Sequence, residues 1–137
     1  MSKFGFIILF LMIALNELMC QENTIIYVEE SASFQGKDLT YFLNNFVKPN
    51  LQYPDSALKN NTIGRTIVQF AVDSVGQVVD IKILRSLDPY CDKEAIRVIK
   101  LSNGMWTPGK VKNKNIKQLF TLPIEFAAPN NDNNLKK

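Results

Sequence analysis

The chain has no histidine and only two cysteines in 137 residues. Without imidazole there is no Ser-His-Asp or Cys-His nucleophilic machinery and no histidine metal site. Cys20 closes the apolar amino-terminal stretch, so Cys91 stands alone in the body of the chain. A disulfide framework and a thiolate metal cluster are both out of reach. Charge of one sign is also scarce: 16 Lys+Arg against 13 Asp+Glu leave a net +3. That is too little for the one-sided basic footprint of a nucleic-acid binder. Long apolar runs are missing as well. The longest, residues 4–15, holds twelve, whereas a spanning helix needs about 20 and a signal-peptide core about 7–15.

Residues 1–20 therefore read as a cleaved signal peptide, with Lys3 as a minimal positive start and the cut between Cys20 and Gln21. The implied location is periplasmic. An uncleaved anchor over residues 4–19 and lipidation at Cys20 stay open; Leu18 and Met19 before the cysteine are larger than lipidation favours. Removal of residues 1–20 takes Lys3 and Glu17 together, so the charge balance is unchanged. What remains is enough for one domain, which buries about two-thirds of its unfolded surface.

After a short lead-in over residues 21–33, with "TIIYVEE" at 24–30 as a candidate strand and "SASFQG" as a linker, patterned sequence begins. Leu39, Phe42, Leu43 and Phe46 fall at helical spacing, and Pro49 should end that helix. Tyr53-Pro54 reads as a chain reversal leading into one helical turn at residues 55–59. Residues 65–73 alternate, with Val68, Phe70 and Val72 on one face. "DSVGQ" is a turn around Gly76, and residues 78–85 return with Val79, Ile81 and Ile83 together. "CDKEAIRVIKLS" follows as a helix with Ala95, Val98 and Ile99 as its stripe, Ile96 at the margin, and acids in its first turn. Residues 115–126 form a third alternating run. Ile116, Phe120, Leu122, Ile124 and Phe126 face one way; Lys117, Leu119, Thr121 and Glu125 face the other. Residues 127–137 are a polar tail, expected to be disordered. The order is a leading helix, then strand–strand–helix–strand. This predicts an α+β domain over residues 34–126: a small antiparallel three-stranded sheet packed on one face by helices.

Several residues carry two readings. Trp106, in the turn "WTPG" with Pro108 and Gly109, reads as a core anchor; the rival is an aromatic recognition platform. Gly64, Gly76 and Gly109 read as backbone-permissive turn residues. Lys110, Lys112, Lys114 and Lys117 crowd eight residues without an acid, either as a solvated loop or as an electrostatic contact for an acidic segment. Cys91 reads as a small packing residue, the rival being a thiol activated at a helix start. Asp73, Asp80, Asp88 and Asp92 are too scattered for a carboxylate pair, which argues against a hydrolase.

Taken together, Tyr53-Pro54, Ala57, Gly64, "VQFAVDSVGQVVDIKILRS", "DKEAIRVIK", Trp106-Thr107-Pro108-Gly109 and "LPIEF" resemble the TonB C-terminal domain family. "SFQGKDLTYFLNNFVKPNLQYP" is similar to the lead-in of one branch, which often reads Pro-x-Phe-x-Gly-Gly; here Lys37 replaces the second glycine and the proline is absent. The resemblance implies a non-enzymatic protein-binding module without cofactor or metal. Its partner would be an envelope protein, such as an outer-membrane TonB-dependent receptor. Capture would occur by strand addition at the last strand, with Lys114, Lys117, Leu119, Thr121 and Glu125 at the contact. Pro123 suits an edge strand because it cannot donate to a ladder. Tyr53, Pro54, Gly64, Gly76, Trp106, Pro108 and Gly109 would be its structural residues. Full energy transducers of the family carry a spanning anchor and a long, often Pro-rich linker. Here the apolar segment and Phe34 are separated by roughly 35 Å of extended chain at most. An energy transducer anchored in the inner membrane is thus the second reading, and a strand-exchanged homodimer is open.

Overall fold

The computed structural model describes residues 28–127. The leader, the first part of the expected strand at 24–30 and nearly all of the polar tail lie outside the described residues. Strand β1 (Ser33–Phe34) is followed by helix α1, built from an α turn Leu39–Phe42, a π turn Leu43–Val47 and a closing turn Lys48–Asn50. A single turn α2 (Asp55–Lys59) leads into β2 (Gly64–Val72), β3 (Val78–Arg85) and helix α3 (Pro89–Leu101). Four strands complete the chain: β4 (Trp106–Thr107), β5 (Gly109–Val111), β6 (Lys114–Ile116) and β7 (Gln118–Phe126).

The main sheet is antiparallel with order β3-β2-β7, so β2 is central. Its alternation puts Thr66, Val68, Phe70 and Val72 in the core, with Leu122, Ile124 and Phe126 of β7 beside them. The helices cover this face, and Cys91, Ala95, Val98 and Ile99 form the buried stripe of α3. Phe42 and Val47 are the buried residues of α1. The fold class is the α+β arrangement read from the sequence.

Trp106 is the core anchor. Its ring lies 4.9 Å from Phe42, 5.4 Å from Phe34, and 5.5 Å from both Phe70 and Phe120. These rings come from α1, β1, β2 and β7, so one side chain joins the leading helix to the sheet. The indole N–H donates to Ser102 Oγ at 3.0 Å, which satisfies its only polar atom.

Five local expectations are corrected. The linker "SASFQG" contains β1, which pairs with β4 at Phe34–Trp106; Gln35 and Gly36, both at positive φ, close a tight turn to Lys37. Pro49 does not end α1. The π turn, with the Lys48 N–H on the Leu43 carbonyl, precedes it, and the helix passes the proline to Asn50 before Leu51 turns extended. Val78 packs with Ile81 and Ile83 instead of Val79. A bulge lies between the pairs Gln69–Lys82 and Ala71–Val79, with Asp80 at φ 53, and it flips the parity of the strand. Helix α3 starts two residues before Cys91, because the Asp88 carboxylate caps it by accepting the Cys91 N–H at 2.7 Å and Pro89 fits the first turn. The lysine loop is a hairpin, β5–β6, closed by Lys112 and Asn113 at positive φ. It splits the expected strand at 115–126, leaving Lys117 as the joint between β6 and β7.

Of the glycines, Gly76 has the strongest constraint. It sits at φ +86, and a Cβ there would stand 2.4 Å from the Trp106 carbonyl oxygen. Gly109 is not a turn glycine; it lies in β5, where a Cβ would meet Gln118 Oε1 at 2.7 Å. Gly76→Ala combines backbone strain with a clash against main chain. It should cost at least about 2 kcal/mol, read as a lower urea midpoint with an unchanged m-value.

Candidate functional site: the β7 edge

Strand β7 pairs with β2 in continuous register from Gly64–Phe126 to Val72–Gln118. Which backbone groups face outward follows from the neighbouring turn. The Asp73 N–H donates to the Gln77 carbonyl at 2.9 Å, and the Val78 N–H turns away from β2 to Asn103 Oδ1 at 2.9 Å. Val72 and Val78 are thus a non-hydrogen-bonded pair, and Val72 directs its backbone groups to β7. Alternation carries this along β2. Gln118, Phe120, Leu122, Ile124 and Phe126 bond to β2, while Leu119, Thr121, Pro123 and Glu125 present their backbone groups to the other side, where no strand pairs among the described residues. Pro123 therefore falls where a missing N–H costs no internal bond. The other sheet edge, β3, is interrupted by two bulges and carries Lys82 and Arg85. Bulges and charge blunt an edge; β7 is the regular one.

The side chains singled out from the sequence separate into two groups. Leu119, Thr121 and Glu125 are exposed on β7, on the face away from the helices. Glu125 pairs with Arg65 of β2 at 3.2 Å, both side chains more than half exposed, so the pair adds little stability. Lys117 is exposed at the joint and pairs with Asp80 of the β3 bulge. Lys114 lies on the hairpin, whose base is bound to the incoming chain through Lys110 N–H to the Glu30 carbonyl at 2.8 Å. Tyr53 and Pro54 lie away from the edge strand's middle. The Tyr53 hydroxyl donates to the Thr62 carbonyl and its ring meets Phe126 edge-on at 5.8 Å, while Pro54 precedes α2.

A groove of about 220 Å³ runs beside this edge. Leu43, Asn44, Val47, Lys48 and Leu51 of α1 and its exit form one wall; Pro123, Ile124 and Glu125 form the other. Sequence reading missed it. The signal available was the spacing of Leu43, Val47 and Leu51, an apolar row along α1 and its exit in which Val47 is buried while Leu43 and Leu51 pack against the core and stay partly exposed. The wall is fixed at its far end. Glu94 holds the Arg97 guanidinium at 2.6 and 2.8 Å and accepts the Gln52 N–H at 2.7 Å, while Arg97 donates to the Asn50 carbonyl at 2.8 Å. The Glu94 carboxylate keeps Arg97 charged beyond its ordinary range.

The scattered aspartates have structural duties. Asp73 accepts the Val75 and Gln77 N–H groups in the turn, and Asp92 accepts from Thr66 Oγ1 at 2.9 Å and from Ser86. Among the described residues, no group of acidic and cysteine side chains could hold a metal ion, and no helix is long and apolar enough to cross a membrane.

The model of the family described as the Gram-negative bacterial TonB protein C-terminal matches residues 49–128, more than half of the chain. The chain belongs to the TonB C-terminal domain family. Two solution structures of the Helicobacter pylori TonB C-terminal domain share its fold. One has a TM-score of 0.51 at 18% identity, covering 66% of this chain and 95% of that one. The other has 0.53 at 19%, covering 70% and 89%. At these identities the likeness is one of fold. No curated protein sequence matches. The TonB C-terminal family is a protein-interaction module, not an enzyme, and in general engages outer-membrane receptors in transport.

Cys91 fits no reactive role within this TonB C-terminal fold. It is fully buried, and burial, followed by the adjacent Asp88 carboxylate, pushes its thiol from 9.0 up to about 12. Burial likewise raises the Tyr53 phenol. Between pH 9.0 and about 12 the unfolded chain releases the Cys91 proton while the folded chain keeps it. Stability from this group is therefore complete below the lower value and lost as pH rises through the upper one. Cys91 should resist maleimide in the native protein at pH 7.5 and react fully in urea, and urea midpoints should fall as pH is raised above 9.

Proposed function

We propose that this protein is a TonB-like binding module that captures an extended segment of an envelope or outer-membrane receptor by strand addition to β7, as an accessory to transmembrane transport. The observation that carries the reading is the unbroken register of β7 on β2, with no strand on its outer side among the described residues. Main-chain bonds to Leu119, Thr121 and Glu125 would supply affinity, and alternate side chains would supply selectivity. Membership in the TonB C-terminal family supports the same class of partner. The residues at the proposed contact are Leu119, Thr121 and Glu125, with Lys117 and Lys114 at the end where the segment would approach the hairpin. Surface lysines there contribute more to encounter rate than to affinity.

Proline substitution separates the edge from the ladder. Leu119→Pro removes an outward N–H and should leave the fold largely intact while abolishing binding of peptides from the periplasmic faces of outer-membrane receptors. Leu122→Pro removes an N–H that bonds to β2, leaves a buried carbonyl unpaired and should destabilise by at least about 2 kcal/mol. NMR titration and thermal melts of the two variants read both effects. Peptide-induced shifts confined to residues outside 106–126 would refute edge binding.

The periplasmic location is part of the proposal and rests on the leader reading of residues 1–20. Mass spectrometry of the protein from its native envelope should find the amino terminus at Gln21 or its cyclised form. An intact Met1 would favour the anchored energy transducer, and an acylated Cys20 a lipoprotein.

A further inference from the structure

We infer that the groove between α1 and β7 is the selectivity pocket of the edge, and that it takes an extended segment bearing aliphatic side chains with a carboxylate between them on one face. The inference rests on strand addition at β7. A strand laid along that edge turns alternate side chains to opposite faces of the sheet. One set points to the open outer face. The other set points to the helix side, where the groove lies directly alongside.

The groove's chemistry defines the occupant. Its apolar wall is the half-buried Leu43 and Leu51, backed by the core residues Val47 and Ile124. Two of these, Leu43 and Val47, belong to the π turn, whose extra residue per turn sets which side chains of α1 face the strand. Two charges border the space. Glu125 is engaged by Arg65 across the sheet. Lys48 meets only a neutral partner, its ammonium donating to Asn44 Oδ1 at 2.8 Å, and has no ion pair among the described residues. The uncompensated charge at the groove is therefore positive. A carboxylate flanked by aliphatic residues two positions away on each side places apolar groups against Leu43 and Leu51 and its charge near Lys48. A segment with lysine in that place meets like charge.

Three blocked heptapeptides test this on the full-length protein in detergent-free buffer or, if needed, a neutral detergent. They are Thr-Val-Thr-Asp-Thr-Val-Thr, the same frame with Lys for Asp, and the same frame with Thr for both Val. NMR titration should show the Val-Asp-Val peptide binding about tenfold tighter than the peptide with Thr for both Val and about threefold or more tighter than the Lys peptide. Amide shifts should appear at Leu43, Val47 and Ile124 as well as at Leu119 and Thr121. Lys48→Glu, an exposed change that spares the core, should reverse the Asp–Lys preference. Asn44→Trp, which fills the groove from its exposed rim, should cost the Val-Asp-Val peptide about tenfold.

Equal affinity for all three peptides, with shifts at Leu119 and Thr121 but none at Leu43 or Val47, overturns the groove inference and leaves edge binding standing. Val-Asp-Val binding that survives Leu119→Pro unchanged overturns edge binding and this inference with it. Groove shifts that grow with protein concentration in the absence of peptide, with dimer by sedimentation, make a second copy the occupant and overturn the partner assignment. Groove shifts caused by removing residues 128–137 do the same in favour of the chain's own tail.

Discussion

The packing of Trp106 against rings from four separate elements sets the geometry of everything else. Phe34, Phe42, Phe70 and Phe120 each approach it to about one ring-contact distance, so β1, α1, β2 and β7 are located by one side chain. Two further contacts fix the tryptophan itself. Its indole N–H is held by Ser102 at the end of α3, and its carbonyl packs against Gly76 in the β2–β3 turn. The helix that forms the groove wall and the strand that forms the open edge are thereby referred to the same point. A partner segment would meet a surface already arranged, so less ordering entropy opposes its binding.

The two ends of α1 are held by different physics. Near its start, apolar burial of Phe42 and its stacking on Phe46 tie it to the core. Near its exit, the Glu94–Arg97 pair reaches backbone groups of Asn50 and Gln52. The middle carries the π turn and faces the groove. A stretch with poorer helical geometry is thus supported on both sides, which is how a less favourable backbone persists where its side chains are needed.

Much of this was legible in the sequence because the core follows simple periods. Val68, Phe70 and Val72, and then Leu122, Ile124 and Phe126, alternate, with the buried Ala71 as the one exception, and Ala95, Val98 and Ile99 mark one helical face. The edge status of β7 could be anticipated from Pro123. What was hidden depended on single backbone choices. Asp80 adopts positive φ and shifts the face of β3; Lys112 and Asn113 do the same and turn a charged loop into a hairpin. None of the three is a glycine, so the strongest compositional signal for a positive φ was missing. The groove was hidden for another reason: it is made by two elements about 75 positions apart in the chain, and only the fold brings Leu43 and Ile124 together.

The asymmetry of the sheet edges has a consequence for stoichiometry. A module with two equally regular edges could accept a strand on each side and propagate into linear polymers. Here the bulged, charged β3 closes one direction of growth, while β7 leaves the other available. Strand addition as proposed would then stop at one segment per domain, and a crowded population of such domains would saturate its targets one-to-one without cross-linking them.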